Sequence, residues 1–176
     1  MDQFGVPFQV QKANIKERIS ADNSPEQVAM ALAFEKAFSV SKDCTKDAIV
    51  IAADTLVVKD RILGKPLDNQ EAYSMLKILQ GDIHYVITGI AVIQAHTFNK
   101  VVNYEKTMVK IKKLSDIQIK KYIEAENVLD KAGSYAIQGK GSAIVKCICG
   151  DYFNVVGLPV ALLNDILYKH FKISLL

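Results

Sequence analysis

Ala48-Ile49-Val50-Ile51-Ala52-Ala53-Asp54-Thr55 is the stretch on which the fold turns. Residues 48–53 form an unbroken apolar run, rich in β-branched side chains and of strand length, the pattern of a strand covered on both faces. The run then breaks into a carboxylate and a hydroxyl. In open α/β sheets the carboxyl ends of parallel strands face ligand crevices, which makes Asp54 the first candidate functional residue. A carboxylate there could hold Mg²⁺ or activate water; a side chain of this type also caps turns.

Downstream, Leu56-Val57-Val58 and Arg61-Ile62-Leu63 flank Lys59-Asp60, which predicts a tight hairpin without the usual glycine. Asp68 reads as a helix cap with Glu71 at the capping-box position, Ala72, Met75, Leu76 and Leu79 as the inner stripe and Gly81 as the stop. Residues 85–95 and 100–111 read as long paired strands, Ser115-Asp116 as the start of a helix reaching about Ala125, and residues 143–149 as a further strand. Residues 159–171 read as a closing helix with Leu162, Leu163, Ile166 and Leu167 inward. Upstream, residues 6–10 read as a short strand. Ser24-Pro25-Glu26-Gln27 starts a helix with Val28, Leu32, Ala33, Phe34, Ala37 and Phe38 as its apolar stripe. Strand-like and helix-like segments interleave without repeats or linkers, so the expectation is one α/β domain over residues 1–176.

Composition narrows the function classes. The 22 Lys plus Arg against 19 Asp plus Glu leave a net charge of +3 with the basic residues scattered, which argues against polymeric nucleic acid and for a small anion as partner. No apolar stretch reaches the roughly 18–20 residues that span a bilayer, and Met1-Asp2-Gln3-Phe4 lacks a signal-peptide start, so no membrane association and a cytoplasmic location are expected. Three cysteines without a CxxC do not make a disulfide framework or a zinc knuckle; Cys147 and Cys149, on one face of a strand, read as packing residues. His84, His96 and His170 are too scattered to suggest a histidine metal site.

Further candidates come from loops. Gly64-Lys65-Pro66 sets a lysine between a flexible and a rigid residue, able to aim its ammonium at a phosphate or simply to sit in a surface turn. Lys36 falls on the polar side of its helix. Asp130-Lys131-Ala132-Gly133 followed by Ala136-Ile137-Gln138-Gly139 puts an amide beside a charged turn, and an amide can read a nucleobase edge. Tyr135 or Tyr152 could stack on a ring or belong to the core. Five of the nine glycines lie between Gly133 and Gly157, as expected near a ligand. Dinucleotide, P-loop, hydrolase-elbow and zincin signatures are all missing.

Several ordered blocks carry a family resemblance. Ala52-Ala53-Asp54-Thr55, Ile62-Leu63-Gly64-Lys65-Pro66, Glu71-Ala72, Met75-Leu76, Gly81-Asp82-Ile83-His84 and Thr88-Gly89 resemble the central signature of the Maf family. Asp130-Lys131-Ala132-Gly133, Ile137-Gln138-Gly139 and the run from Gly150 through Asn154 to Pro159 resemble its C-terminal blocks. The resemblance implies an elongated α/β domain with a mixed sheet, flanking helices and a central cleft, similar to inosine triphosphate pyrophosphatases. It also implies hydrolysis of nucleoside triphosphates to the monophosphate and pyrophosphate. Position by position, it makes Asp54 the general base, puts Glu17 with Asp54 at a divalent cation (Mg²⁺, or Mn²⁺ in its place), and sets Lys36 and Lys65 on the phosphates. Thr55 and Gln138 resemble the branch acting on dTTP and UTP, and a homodimer is implied.

Family members begin with a strand and a Ser-x-Ser-Pro-Arg-Arg loop, and Met1 to Gly5 resembles the end of the helix that follows. The expectation from this is a chain without that phosphate-binding loop and with slow turnover. The alternative function is accordingly a catalytically impaired nucleotide-binding or regulatory Maf-like protein, with a structural role in cell-division control as the weaker third.

Overall fold

The computed structural model describes residues 5–16, 22–45 and 47–175. Its centre is a sheet of five antiparallel strands in the order β2-β1-β3-β4-β5, made by β1 (Ile49–Val58), β2 (Ile62–Leu63), β3 (Ile83–Gln94), β4 (Lys100–Ile111) and β5 (Val145–Cys149). The strand therefore does not end with the apolar run at Ala53. Strand β1 continues through Asp54 to Val58, and Asp54 lies opposite Gly89 of β3. The parallel reading of this stretch is corrected: β3 runs antiparallel to it along its whole length. A buried run records coverage, not the direction of its neighbour.

Helices follow their caps. Helix α1 (Pro25–Ser41) starts at Ser24, whose hydroxyl accepts from the Gln27 amide while the Gln27 side chain accepts from the Ser24 amide. Helix α2 (Asn69–Leu79) is capped by Asp68, but the Glu71 carboxylate reaches past the cap to the amide of Leu67. Ser115 and Gln118 form a second reciprocal box at α3 (Asp116–Ala125). Two short helices, α4 (Tyr152–Val156) and α5 (Val160–Ile166), close the chain, the latter loosening into a π turn over Leu167–Phe171 in place of one long helix.

The strand expected at residues 6–10 is absent: this stretch carries no regular structure. The strand expected at 143–149 begins two residues later, because Gly139–Ala143 is a 3-10 turn.

Side-chain alternation assigns the faces. Val50, Leu56, Ile87, Ala91 and Ile93 point at α1, against Val28, Ala29, Leu32, Ala33 and Ala37. The opposite face carries Val57, Val86 and Val109 beneath α2 and α3, and Ile90 and Val92 beneath α5. Phe38 does not join the stripe of α1; it stays 42% exposed and stacks on Phe34. Gly89 decides how near α1 comes, since a Cβ there would lie 2.1 Å from the carbonyl oxygen of Ala29. Only a residue without a side chain lets helix and strand backbones meet this closely.

Candidate active site

Strand β2 pairs with β1 only at Val57 and Val58, so among the described residues the stretch of β1 from Ile49 to Leu56 is a sheet edge. At an edge both faces of a strand are reachable from one side. Asp54 and Thr55, which point to opposite faces, therefore line the same cavity of about 440 Å³. From above, Lys36 reaches in. It extends the buried row Val28–Leu32 by one more step of four, which corrects its expected place on the solvated side, and its ammonium lies on the Asp54 carboxylate.

The opposite wall is a set of turns. Lys65 enters from the loop after β2, a loop fixed where the Gly133 amide donates to the Gly64 carbonyl at 3.0 Å. Asp130 and Lys131 pair at 2.9 Å on the cavity rim. The hydrogen bond from Lys131, with help from the charge of Lys65, holds the Asp130 carboxyl below its ordinary range. Three lysines thus face two aspartates, an electrostatic balance suited to a polyanion.

Gln138 lines the same cavity, exposed at the start of the 3-10 turn, with its amide bonded to nothing else among the described residues. Val155 and Val156 of α4 give an apolar lip. Buried Asn154 anchors α4: its side-chain amide donates to the Val86 carbonyl at 3.1 Å and to Thr107 Oγ1 at 3.0 Å.

Thr55 has a defined polarity. Thr88 Oγ1 donates its one proton to the Asn154 carbonyl at 3.0 Å, so at 2.9 Å it accepts from Thr55. Thr55 thereby turns lone pairs, not a proton, toward the cavity. Behind the wall, Tyr135 reaches back to His84 and belongs to the core more than to a stacking platform.

The structure thus gathers Lys36, Asp54, Thr55, Lys65 and Gln138 around one cavity, while Glu17 lies outside the described residues. Sequence reasoning saw Asp130 and Lys131 only as a charged turn and gave them no role of their own; the signal was that they share a glycine-rich segment with Gln138. Among the described residues no three His, Cys, Asp or Glu side chains form a metal cage. A hard cation that takes one or two carboxylate oxygens and completes its shell with phosphates and water still fits the Asp54 carboxylate. No helix among the described residues is long and apolar enough to cross a membrane.

A family model described as Maf-like protein matches residues 1–170. The chain is 52% identical over 173 residues to the dTTP/UTP pyrophosphatase of Alkaliphilus oremlandii, covering 98% of this chain and 90% of that relative. It is 49% identical to the dTTP/UTP pyrophosphatase of a Thermoanaerobacter species, covering 100% of this chain and 92% of the relative. The protein of that name from Clostridioides difficile is 46% identical, over 99% of this chain and 90% of its own length. Nearly the whole chain, cavity and all, follows one pattern, and the protein belongs to the Maf family.

Proposed function

We propose that the protein is a nucleoside triphosphate pyrophosphatase that hydrolyses dTTP, UTP and related pyrimidine nucleotides to the monophosphate and pyrophosphate. The observation that carries this reading is the one cavity lined by Lys36, Lys65, Lys131, Asp54 and Gln138, whose side-chain amide is bonded to nothing else among the described residues. Its support from outside the chain is the shared name of relatives about half identical to it.

In the reaction, water attacks the α-phosphorus, the bond from that phosphorus to the bridging oxygen breaks, and pyrophosphate leaves. Asp54 takes the proton of the attacking water. Lys36, lying on Asp54, orients that carboxylate and adds positive charge beside the phosphates. Lys65 meets the far phosphates, where the negative charge released by breaking the bond gathers on departing pyrophosphate. Asp54, with Glu17 as the second carboxylate, would hold a divalent cation, Mg²⁺ or Mn²⁺, which when bound neutralises charge on the phosphates. Gln138 pairs its amide with the uracil N3–H and a ring carbonyl, and Thr55 offers an acceptor to the same cavity.

The reading includes a homodimer in the cytoplasm. Exposed Tyr152, Phe153 and Val156 beside the cavity supply apolar surface for such a contact, and analytical ultracentrifugation reads it.

The test is pyrophosphate release from a panel of nucleoside triphosphates with and without Mg²⁺. Release that is fastest with dTTP and UTP supports the proposal; binding of these nucleotides without turnover would establish the regulatory alternative in its place.

A further inference from the structure

A second concavity, of about 410 Å³, lies between the residues that follow β4, helix α3 and the 3-10 turn Gly139–Ala143. Its charged lining is lysine alone: Lys112, Lys113, Lys121 and Lys140, with no aspartate or glutamate among the lining residues. The four lysines are exposed, and around one hollow their ammonium groups leave a positive charge that a bound anion would offset. In a chain whose net charge is only +3, this is a concentrated positive field.

Two of the four are held in place. Lys112 Nζ donates to the Ala143 carbonyl at 2.8 Å, and Lys140 Nζ to the Ala125 carbonyl at 2.9 Å. Each bond uses one of three ammonium protons and leaves two for a ligand. Gln118 adds a donor: its side-chain oxygen is committed to the Ser115 amide at 2.8 Å, which leaves its NH₂ group outward. Beneath these groups the floor is apolar, with Leu114, Tyr122 and Ile144 all buried. Low-dielectric walls under a ring of like charges focus the field into the hollow.

This hollow is not the nucleotide cavity. Residues 136–138 line the first cavity and Lys140, Ala143 and Ile144 line the second, so one segment forms the partition. It is pinned from the α3 side, where Tyr122 Oη accepts from the Ala136 amide at 3.1 Å and Glu126 accepts from the Lys140 amide at 2.9 Å.

We propose that the lysine-lined hollow is a second anion site, which takes a polyphosphate chain, either free pyrophosphate or the phosphate tail of a nucleotide. Lysines contributed to one lining by three segments suit an anion whose several oxygens spread over two or more phosphates. The proposal stands on its own lining residues and holds or fails independently of turnover in the first cavity.

Calorimetric titration with inorganic pyrophosphate tests it, on the wild-type chain, on Lys113→Gln/Lys121→Gln and on Lys65→Gln. Neither Lys113 nor Lys121 makes a side-chain hydrogen bond among the described residues, so the double variant is expected to fold, which its thermal midpoint checks; Lys121→Gln alone repeats the test if it does not. Two pyrophosphates should bind per wild-type chain. The double variant should lose one of them, with affinity at that site falling about 10-fold or more, as for a lost hydrogen bond to a charged group. Lys65→Gln should weaken only the other. A parallel titration with a non-hydrolysable UTP analogue separates the sources: a second equivalent of analogue assigns the site to nucleotide tails, and a second equivalent of pyrophosphate alone assigns it to the free anion. A single wild-type equivalent that Lys65→Gln abolishes, or a double variant that binds as wild type does, overturns the proposal.

Discussion

His84 Nε2 and the Tyr135 hydroxyl are 2.6 Å apart, with the two rings edge to face and the imidazole 1% exposed. Its Nδ1 has no partner among the described residues. Burial, and after it the nearby charge of Lys59, pushes the imidazole down to about 4. In the unfolded chain it titrates near its ordinary value of 6.5. Between these two values the unfolded state binds the extra proton, so stability is full above pH 6.5 and falls as pH drops toward 4, by up to about 3 kcal/mol. The aspartates and glutamate with lowered values, among them Asp82, Asp116 and Glu26, act in a lower window. Thermal midpoints measured from pH 7 to 4 should fall for the wild type and much less for His84→Gln. An equal slope in both would clear His84 of this role.

Asp54→Asn should lower the rate of pyrophosphate release by roughly 10²-fold or more, because general-base help alone is worth that much. The amide keeps the shape of the side chain beside Lys36, so the variant should still melt cooperatively. Near wild-type turnover would remove Asp54 from the reactive centre.

Gln138→Ala should raise KM for UTP by about 10-fold while leaving a ribose triphosphate without a base nearly unchanged. Since Gln138 is exposed and bonded to nothing else among the described residues, its loss should not move the thermal midpoint. The same loss on both substrates would make it a wall residue, not a reader of the base.

Gly89→Ala should destabilise the fold by roughly 1–3 kcal/mol or more, the range for overpacked cores, and should also slow turnover. The added methyl meets the Ala29 carbonyl oxygen, backbone that can yield only by moving α1, and α1 carries Lys36. Denaturant melts and steady-state rates check both effects; a variant stable and active as wild type would show that the helix shifts freely.

Local chemistry made the helix starts legible, because Ser24, Asp68 and Ser115 each announce a cap within four residues. The two long strands were equally plain, and the hairpin was legible although its turn takes in Arg61 as well as Lys59-Asp60. Direction and exposure were not. Residues 48–53 give no sign that β3 runs against them, and Cys147 and Cys149 read as packing residues although both are exposed on an outer strand. For the cavity, Asp54, Lys65 and Gln138 stood out by local context. Lys36 could not, because its place depends on how closely α1 approaches the sheet at Gly89, a contact made across a long sequence separation.

The two free, exposed thiols of β5 should make the purified protein sensitive to air. They sit on the same side of the strand, and neighbours two apart along extended backbone are about 6.6–6.8 Å from Cα to Cα. That is at the upper limit of what a disulfide spans, so each thiol is better placed to react with another molecule than with its neighbour. Storage without reductant should therefore build a ladder of covalent species on a non-reducing gel, which dithiothreitol collapses and Cys147→Ser/Cys149→Ser prevents. Sedimentation and light-scattering measurements of subunit number need that reductant, or they will count chemical cross-links as assembly.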